Sequence, residues 1–93
     1  MGWDFEWDEA KNRLNIAKHG IDFVDVPRML QGPLLVRRDD RGTYGEERWI
    51  AMGDLDGGVI VTVYTQRGPR LRIISARRAN RRERTIYEQA VER

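Results

Sequence analysis

The chain has 93 residues, with 17 basic and 15 acidic side chains, a net charge of +2 and no cysteine. This length fits a single domain over residues 1–93, and the lack of cysteine excludes a disulfide framework and a thiolate metal site. The longest apolar run, residues 59–63, is far short of the roughly 20 residues of a membrane span, and the acidic N-terminal segment does not resemble a signal peptide, so we expect a soluble cytoplasmic protein.

The N-terminal part predicts a strand and then a helix. Trp3 to Trp7 alternates in polarity, and Asp8 is a suitable N-cap for a helix from Glu9 to His19. Gly20 fits the left-handed residue that commonly ends a helix. Residues spaced by three and four predict one apolar stripe, made of Trp7, Ala10, Leu14, Ala17 and Ile21.

A second, short helix is expected after Asp22. Pro27 lacks a backbone N–H and is expected to kink or delay this helix. The side chains predicted to point inward are Phe23, Val26, Met29 and Leu30. Leu34 to Arg38 then predicts a strand.

Three more strands are predicted over residues 48–53, 59–65 and 71–77, joined by turns at Asp56-Gly57 and Gly68-Pro69. These strands form an antiparallel meander. In the last strand, alternation predicts one face with Leu71, Ile73 and Ser75, and the other with Arg70, Arg72, Ile74 and Ala76.

A C-terminal helix completes the predicted order βααββββα, an α+β fold. Asn80 and Glu83 have the spacing of a capping box, which starts this helix. Its predicted apolar face consists of Ile86, Tyr87, Ala90 and Val91.

Positive charge is concentrated towards the C-terminus, where residues 67–93 contain nine arginines and three glutamates. The planar guanidinium of arginine binds phosphate or carboxylate through two hydrogen bonds. Arg81 and Arg82 lie in the first predicted turn of the last helix, where the helix dipole disfavours cations, so an anionic partner is expected there. Two interpretations remain open: a surface that faces phosphate or acidic groups, and a solvated surface rich in arginine because of genomic base composition.

The residue types favour chemistry without a metal or a cofactor. The chain has one histidine, no ligand pattern among its carboxylates, no Walker loop, no dinucleotide-binding glycine motif and no G-x-S-x-G motif. RNA cleavage fits this set, because the 2′-hydroxyl of RNA is itself the nucleophile and arginines can orient and neutralise the phosphate.

Several residues are candidates for this chemistry. His19 is a candidate because histidine is the side-chain type suited to proton transfer near neutral pH, and Glu46 or Glu47 can serve as a base if partly desolvated. The alternatives are that His19 binds the carbonyls at its helix end and that the glutamates pair with arginines. Arg72 lies in the middle of an apolar strand, which predicts either a buried ion pair or a site. Tyr64 either stacks on a base or lies in the core.

Several segments together resemble the BrnT toxin family in order and spacing across nearly the whole chain. They are Phe5-Glu6-Trp7-Asp8 with Lys18-His19-Gly20, Glu46-Glu47-Arg48-Trp49, Tyr64-Thr65-Gln66-Arg67-Gly68 with Arg72 to Arg77, and Arg81-Arg82-Glu83-Arg84. The resemblance implies a RelE-like fold in which two N-terminal helices pack on an antiparallel sheet, and a metal-independent endoribonuclease that arrests translation in the bacterial cytoplasm.

The resemblance also implies a BrnA-type antitoxin with a DNA-binding module, and a heterotetramer of two toxins and two antitoxins on operator DNA. The catalytic candidates are His19, Glu47, Arg48, Arg67, Arg72 and Arg77. The RNA-binding candidates are Arg70, Arg78, Arg81, Arg82 and Tyr64. Arg78 stands where the family commonly has lysine, and Pro27-Arg28 interrupts the second helix. A non-catalytic module that binds nucleic acid or a protein partner is the alternative, because the same basic surface would serve it.

Overall fold

The computed structural model describes residues 4–91, which form three α-helices and one five-stranded sheet. The elements are β1 (Asp4–Glu6), α1 (Glu9–His19), a 3-10 turn (Phe23–Asp25), α2 (Val26–Leu30), β2 (Leu34–Arg38), β3 (Trp49–Leu55), β4 (Gly58–Arg67), β5 (Arg70–Arg78) and α3 (Arg81–Val91). The α+β class is confirmed; Trp3, the predicted start of the first strand, lies outside the described residues. No helix within residues 4–91 is long and apolar enough to cross a membrane.

The sheet has the order β1-β5-β4-β3-β2 and is mixed. Strands β2 to β5 pair antiparallel, but β1 pairs parallel with β5, with Glu6 opposite Arg72. The prediction of an antiparallel sheet is therefore wrong for β1. Tight turns force antiparallel pairing only between consecutive strands, and most of the chain separates β1 from β5.

A bulge in β5 changes which of its residues share a face. Ile74 has no opposite residue, because the β4–β5 register shifts there. Ile73 and Ala76 consequently face the same side and belong to one buried cluster. The predicted alternation, which put Ser75 with Ile73 and Ala76 with Arg72, is wrong beyond the bulge because the extra residue shifts the period of two.

One face of the sheet is covered by α1, the 3-10 turn and α2, and the main core lies between them. Its least exposed large side chains are Phe23, Val26, Met29, Ile60 and Ile73, all at 2% or less. The sequence reading named the first three as inward-facing, and the structure confirms them.

Helix α1 contacts β5 through a buried asparagine instead of an apolar stripe. Asn15 is 8% exposed, whereas Leu14 is 71% exposed. The Asn15 side chain donates to the Ala76 carbonyl at 2.8 Å and accepts from the Ala76 N–H at 3.2 Å. The predicted stripe is wrong within the helix, although Trp7 and Ile21 at its two ends do join the core. Strand β1 pairs with β5 only at residues 70–72, so the N–H and carbonyl groups of Ala76 on that side of β5 need a polar side chain as partner.

The segment between α1 and α2 is held by side-chain hydrogen bonds. Asn12 accepts from the Phe23 N–H at 2.9 Å and donates to Asp22, which also accepts from the Val24 N–H. Helix α2 begins only at Val26, so Pro27 lies in its first turn, where no N–H donor is needed. This agrees with the predicted delay.

Helix α3 is attached to the sheet by a small contact area. Asn80 and Glu83 exchange hydrogen bonds of 2.9 and 2.8 Å in the predicted capping box. Tyr87 is 5% exposed and donates to the Pro33 carbonyl at 2.9 Å, but Ile86 is 44% exposed. The predicted apolar face of four residues is therefore wrong, because Tyr87 is the one residue of this helix that is buried and Ile86 lines an open cleft between α3 and the sheet.

Candidate active site

The sheet face opposite α1 and α2 carries most of the predicted catalytic arginines. By strand register, Arg67 of β4 and Arg72 and Arg77 of β5 point to this face, and Arg48 joins them through a shared carboxylate. We call this surface the arginine face; it consists of Arg48, Ile50, Met52, Val61, Val63, Thr65, Arg67, Arg72, Ser75 and Arg77. The sheet therefore brings together four arginines that lie up to 29 positions apart in the sequence.

Glu46 holds two of these arginines. Its carboxylate lies 3.4 Å from Nε of Arg48 and 3.2 Å from a terminal guanidinium nitrogen of Arg67. The Glu46 side chain is 25% exposed, so this ion-pair group is within reach of a ligand. Both Glu46 and Glu47 were base candidates by residue type and the family resemblance favoured Glu47, but only Glu46 is placed between arginines of this face.

Arg72 pairs with Glu6 of β1 at 2.9 Å, and Arg70 lies 3.7 Å from the same carboxylate. Arg72 and Glu6 are each about one quarter exposed. The parallel pairing of β1 with β5 places these two residues opposite each other. Arg72 thus has the partner that a charge inside a strand requires, and it remains open to solvent on one side.

The loop from Asp39 to Arg48 positions the Arg48 guanidinium. That group lies over the ring of Tyr44, 4.1 Å from the ring centroid, in cation–π geometry. Tyr44 donates to the Asp39 carboxylate at 3.3 Å, and Arg41 donates to it at 2.8 and 2.9 Å. The Asp39 side chain is 1% exposed, and the hydrogen bonds from Arg41 hold its pKa well below the ordinary value.

Asp39, Arg41 and Tyr44 were missed by sequence reasoning, which named no candidate between the strand that ends at Arg38 and Glu46. A signal was present: an aspartate that accepts from the N–H two residues later is typical of an Asx turn. The stacking of Tyr44 on Arg48 had no sequence signal, because it depends on how the loop folds back.

Arg77 is bound by the capping residue of α3. Its two terminal nitrogens each lie 2.8 Å from an oxygen of Glu83. These hydrogen bonds, together with one from the Asn80 N–H, lower the pKa of Glu83 to about 2 and raise the pKa of Arg77. The same carboxylate therefore caps the helix and fixes a guanidinium on the arginine face.

We expect Glu83→Gln to lower the free energy of unfolding by about 1 kcal/mol at pH 7, because it removes a partly exposed ion pair but keeps an acceptor for the Asn80 N–H. The pKa of Glu83 is about 2 in the folded protein against an ordinary 4.5. The stabilisation is therefore fully present above pH 4.5 and is lost as the pH falls through 2. Urea unfolding of both proteins across this range measures it.

The exposed Glu88 of the same helix provides a matched control, since Glu88→Gln should change the unfolding free energy little at any pH. An equal effect of Glu83→Gln at pH 7 and pH 2 would contradict the ion-pair explanation.

Four predicted residues lie away from the arginine face or at its margin. Glu47 has a 61% exposed side chain and pairs with Arg38 at 3.3 Å. Tyr64 packs against the core under α2, and burial raises its pKa. Arg78 is exposed on the α1 side of the sheet, whereas Arg70, opposite Arg67 in the register, is exposed at the start of β5 on the margin of the arginine face. Tyr64 and Arg78 are therefore not placed for direct contact with a ligand on the arginine face.

The remaining predicted residues are positioned by helices. Arg81 and Arg82 are exposed at the start of α3. His19 is half-buried at the end of α1 and lines a shallow groove with Ile74 and Ser75. Because Ser75 also belongs to the arginine face, this groove adjoins that face around the edge of β5.

Side chains of the types that bind metal ions are not clustered within residues 4–91. Among residues 4–91, no three histidine, aspartate or glutamate side chains lie close enough together to hold a metal ion. The carboxylates of the arginine face are instead spread among guanidinium groups. This arrangement suits the binding of an anion such as a phosphate.

Comparison with known families gives one match. A family model described as the ribonuclease toxin, BrnT, of a type II toxin–antitoxin system matches residues 7–83. The match extends from the start of α1 to the capping box of α3 and includes all four arginines of the arginine face. No match was found among individually curated proteins.

Proposed function

The chain belongs to the BrnT family of ribonuclease toxins from type II toxin–antitoxin systems, and on this premise we propose that it is an endoribonuclease that cleaves RNA on the arginine face by metal-independent chemistry. The observation that carries this proposal is the grouping of Arg48, Arg67, Arg72 and Arg77 on one sheet face, each paired with a carboxylate that leaves it partly exposed. A phosphodiester, like a carboxylate, offers two anionic oxygens that a guanidinium can bind through two hydrogen bonds.

These arginines can exchange a glutamate carboxylate for a substrate phosphate, which makes the group suitable for binding RNA. A partly exposed ion pair contributes only about 0 to 1 kcal/mol, so replacing a glutamate by a phosphate oxygen costs little. Meanwhile Glu6, Glu46 and Glu83 keep the guanidinium groups in place in the absence of RNA. The arginines are thus preorganised for the negative charge that develops on the phosphate during the reaction.

The proposed reaction uses the ribose 2′-hydroxyl as nucleophile. This hydroxyl loses its proton to a base, its oxygen forms a bond to phosphorus, and the bond from phosphorus to the 5′-oxygen breaks. The leaving 5′-oxygen takes up a proton, so the products carry a 2′,3′-cyclic phosphate and a 5′-hydroxyl. Arginines that neutralise the phosphate oxygens lower the barrier without themselves gaining or losing a proton.

We assign proton transfer to Glu46, because its carboxylate lies among the arginines of the face. His19 is the second candidate, since the groove that it lines adjoins the face at Ser75. Glu47, the sequence-based candidate, remains in the proposal as an exposed carboxylate next to Glu46. The pH profiles of Glu46→Gln, Glu47→Gln and His19→Gln would distinguish them, because loss of the base removes one limb of the profile.

The proposal includes a protein partner, which the type II class of toxin–antitoxin systems implies. We propose a BrnA-type antitoxin with a DNA-binding module, assembled as two toxins and two antitoxins on operator DNA in the bacterial cytoplasm. The excess of arginine in residues 67–93 supports an acidic or anionic partner surface.

Incubation of the purified protein with total RNA in excess chelator, with and without antitoxin, tests the proposal. We expect cleavage that persists in chelator, stops with antitoxin and leaves 2′,3′-cyclic phosphate ends. RNA that stays intact but shifts in mobility with the protein would instead favour the non-catalytic binding module.

A further inference from the structure

A cleft of about 360 Å³ lies on the arginine face between the sheet and α3. Its apolar floor consists of Leu35, Ile50, Met52, Val61, Val63 and Ile86. Three guanidinium groups, those of Arg37, Arg41 and Arg77, stand at its rim together with the carboxylate of Glu83. The cleft thus joins an apolar surface to an excess of positive charge.

Two of the three rim cations are held in fixed orientations by carboxylates. Arg41 is bound through two nitrogens to the buried Asp39, and Arg77 is bound through two nitrogens to Glu83. The nearby charge of Arg41 opposes the rise in the pKa of Arg77, and that of Arg37 helps to lower the pKa of Glu83. Because the side chains are already ordered, binding an anion there costs less conformational entropy.

We propose that this cleft is a binding subsite for one ribonucleotide of the RNA substrate, with its base on the apolar floor and a phosphate at the arginine rim. The inference rests on the proposed ribonuclease function and adds a substrate subsite whose residues Arg37, Arg41 and Met52 belong to none of the predicted sites. Arg77 lines the cleft and is also one of the catalytic candidates on the arginine face, so the two sites are continuous.

The size and chemistry of the cleft favour a nucleotide over other occupants. A volume of about 360 Å³ lies at the lower end of the range for small-molecule sites, roughly 300–1,000 Å³. The thioether of Met52 makes favourable contacts with aromatic rings, as a nucleobase would provide. A helix or strand of a protein partner would need a longer groove, whereas one planar base with a charged phosphate matches both the floor and the rim.

Methionine methyl NMR tests this subsite directly, because the methionines report on different places. Met52 lines the cleft, Met29 is 1% exposed in the core on the opposite face, and Met1 lies outside the described residues. We expect titration of the full-length protein with each ribonucleoside 5′-monophosphate to shift the Met52 methyl resonance and leave that of Met29 in place. Inorganic phosphate alone should not reproduce this shift, since it has no ring current.

Substitutions at the rim provide the second arm of the experiment. Arg37→Ala, which removes a rim cation without breaking an ion pair among the described residues, should weaken nucleotide binding about tenfold, the loss of one charge-assisted contact to phosphate. Arg13→Ala, on the exposed side of α1, should leave the dissociation constant unchanged. Both variants are checked for an unchanged Met29 resonance, which reports an intact core.

The outcomes separate this inference from the proposed function. If RNA is cleaved but no nucleotide shifts Met52, the subsite is wrong and the ribonuclease proposal stands. If nucleotides shift Met52 but RNA is never cleaved, the subsite stands and the catalytic proposal fails. A Met52 shift caused by the antitoxin and by no nucleotide would overturn the inference in favour of a protein-docking cleft.

Discussion

Arg72→Ala is expected to slow RNA cleavage by about 100-fold or more, the usual loss when one preorganised donor to a developing charge is removed. Arg72 lies on the arginine face beside β1, is only about one quarter exposed, and has Glu6 at 2.9 Å as its sole ionic partner among the described residues. Single-turnover cleavage of a defined RNA measures the rate, and growth arrest on induction measures its biological effect.

Two variants separate the role of the guanidinium from that of the ion pair. Arg78→Ala removes an exposed arginine of the same strand on the opposite face, so cleavage should stay within about threefold of the unmodified rate. Glu6→Gln removes the partner's charge but keeps an oxygen that can accept from Arg72 and hold it in place, so it should also leave cleavage largely intact. If Glu6→Gln were as damaging as Arg72→Ala, the importance of Arg72 would be structural.

Asn15→Ala is expected to lower the free energy of unfolding by about 3 kcal/mol, because it leaves buried backbone groups without partners at a cost of roughly 1–3 kcal/mol each. The Asn15 amide bonds to both peptide groups of Ala76 and donates to the Ile21 carbonyl at 3.0 Å. It therefore joins α1 to the edge of β5. Urea unfolding at pH 7 measures the change.

Leu14, the residue before Asn15, provides the control for this prediction. Leu14 is 71% exposed, so Leu14→Ala should change the unfolding free energy by less than about 0.5 kcal/mol. An apolar stripe on α1 would require the opposite order, with the leucine far more important than the asparagine. A larger loss for Leu14→Ala than for Asn15→Ala would mean that the packing of α1 is wrong.

Features that depend on local chemistry were predictable from the sequence. Asp8 accepts from the Lys11 N–H as the N-cap of α1, and Gly20 ends that helix with φ at 72°. The capping box of α3 and the turn after Leu55 likewise follow from residues three or fewer positions apart. Such signals are short-range, so they require no knowledge of the tertiary structure.

Features that depend on distant partners were not predictable by the same reasoning. The pair between Glu6 and Arg72 joins residues 66 positions apart, and the hydrogen bonds between Asn15 and Ala76 join residues 61 positions apart. Periodicity arguments count apolar residues, so they cannot identify a helix that packs through a satisfied amide. They also assume an unbroken period of two, which the bulge at Ile74 breaks.

The candidate site likewise combines features that the sequence predicts with features that depend on the tertiary structure. Its arginines were identified from matching motifs, and the sheet brings four of them together. The sequence resemblance favoured Glu47 over Glu46, but adjacent residues in an extended chain point in opposite directions, and the loop conformation places Glu46 against Arg48. The support of Arg48 by Tyr44 and Asp39 depends on that same conformation.

The pairing of β1 with β5 affects how the domain folds during synthesis, because β1 is translated long before β5. The N-terminal strand is translated first, yet its hydrogen-bonding neighbour within the described residues emerges more than 60 residues later. Pairing between residues so far apart in sequence raises the relative contact order of the domain, which lowers its expected folding rate. Because Arg72 and Arg77 also reside on this late strand, we expect the nascent chain to remain harmless to the RNA around it until translation of the domain is nearly finished.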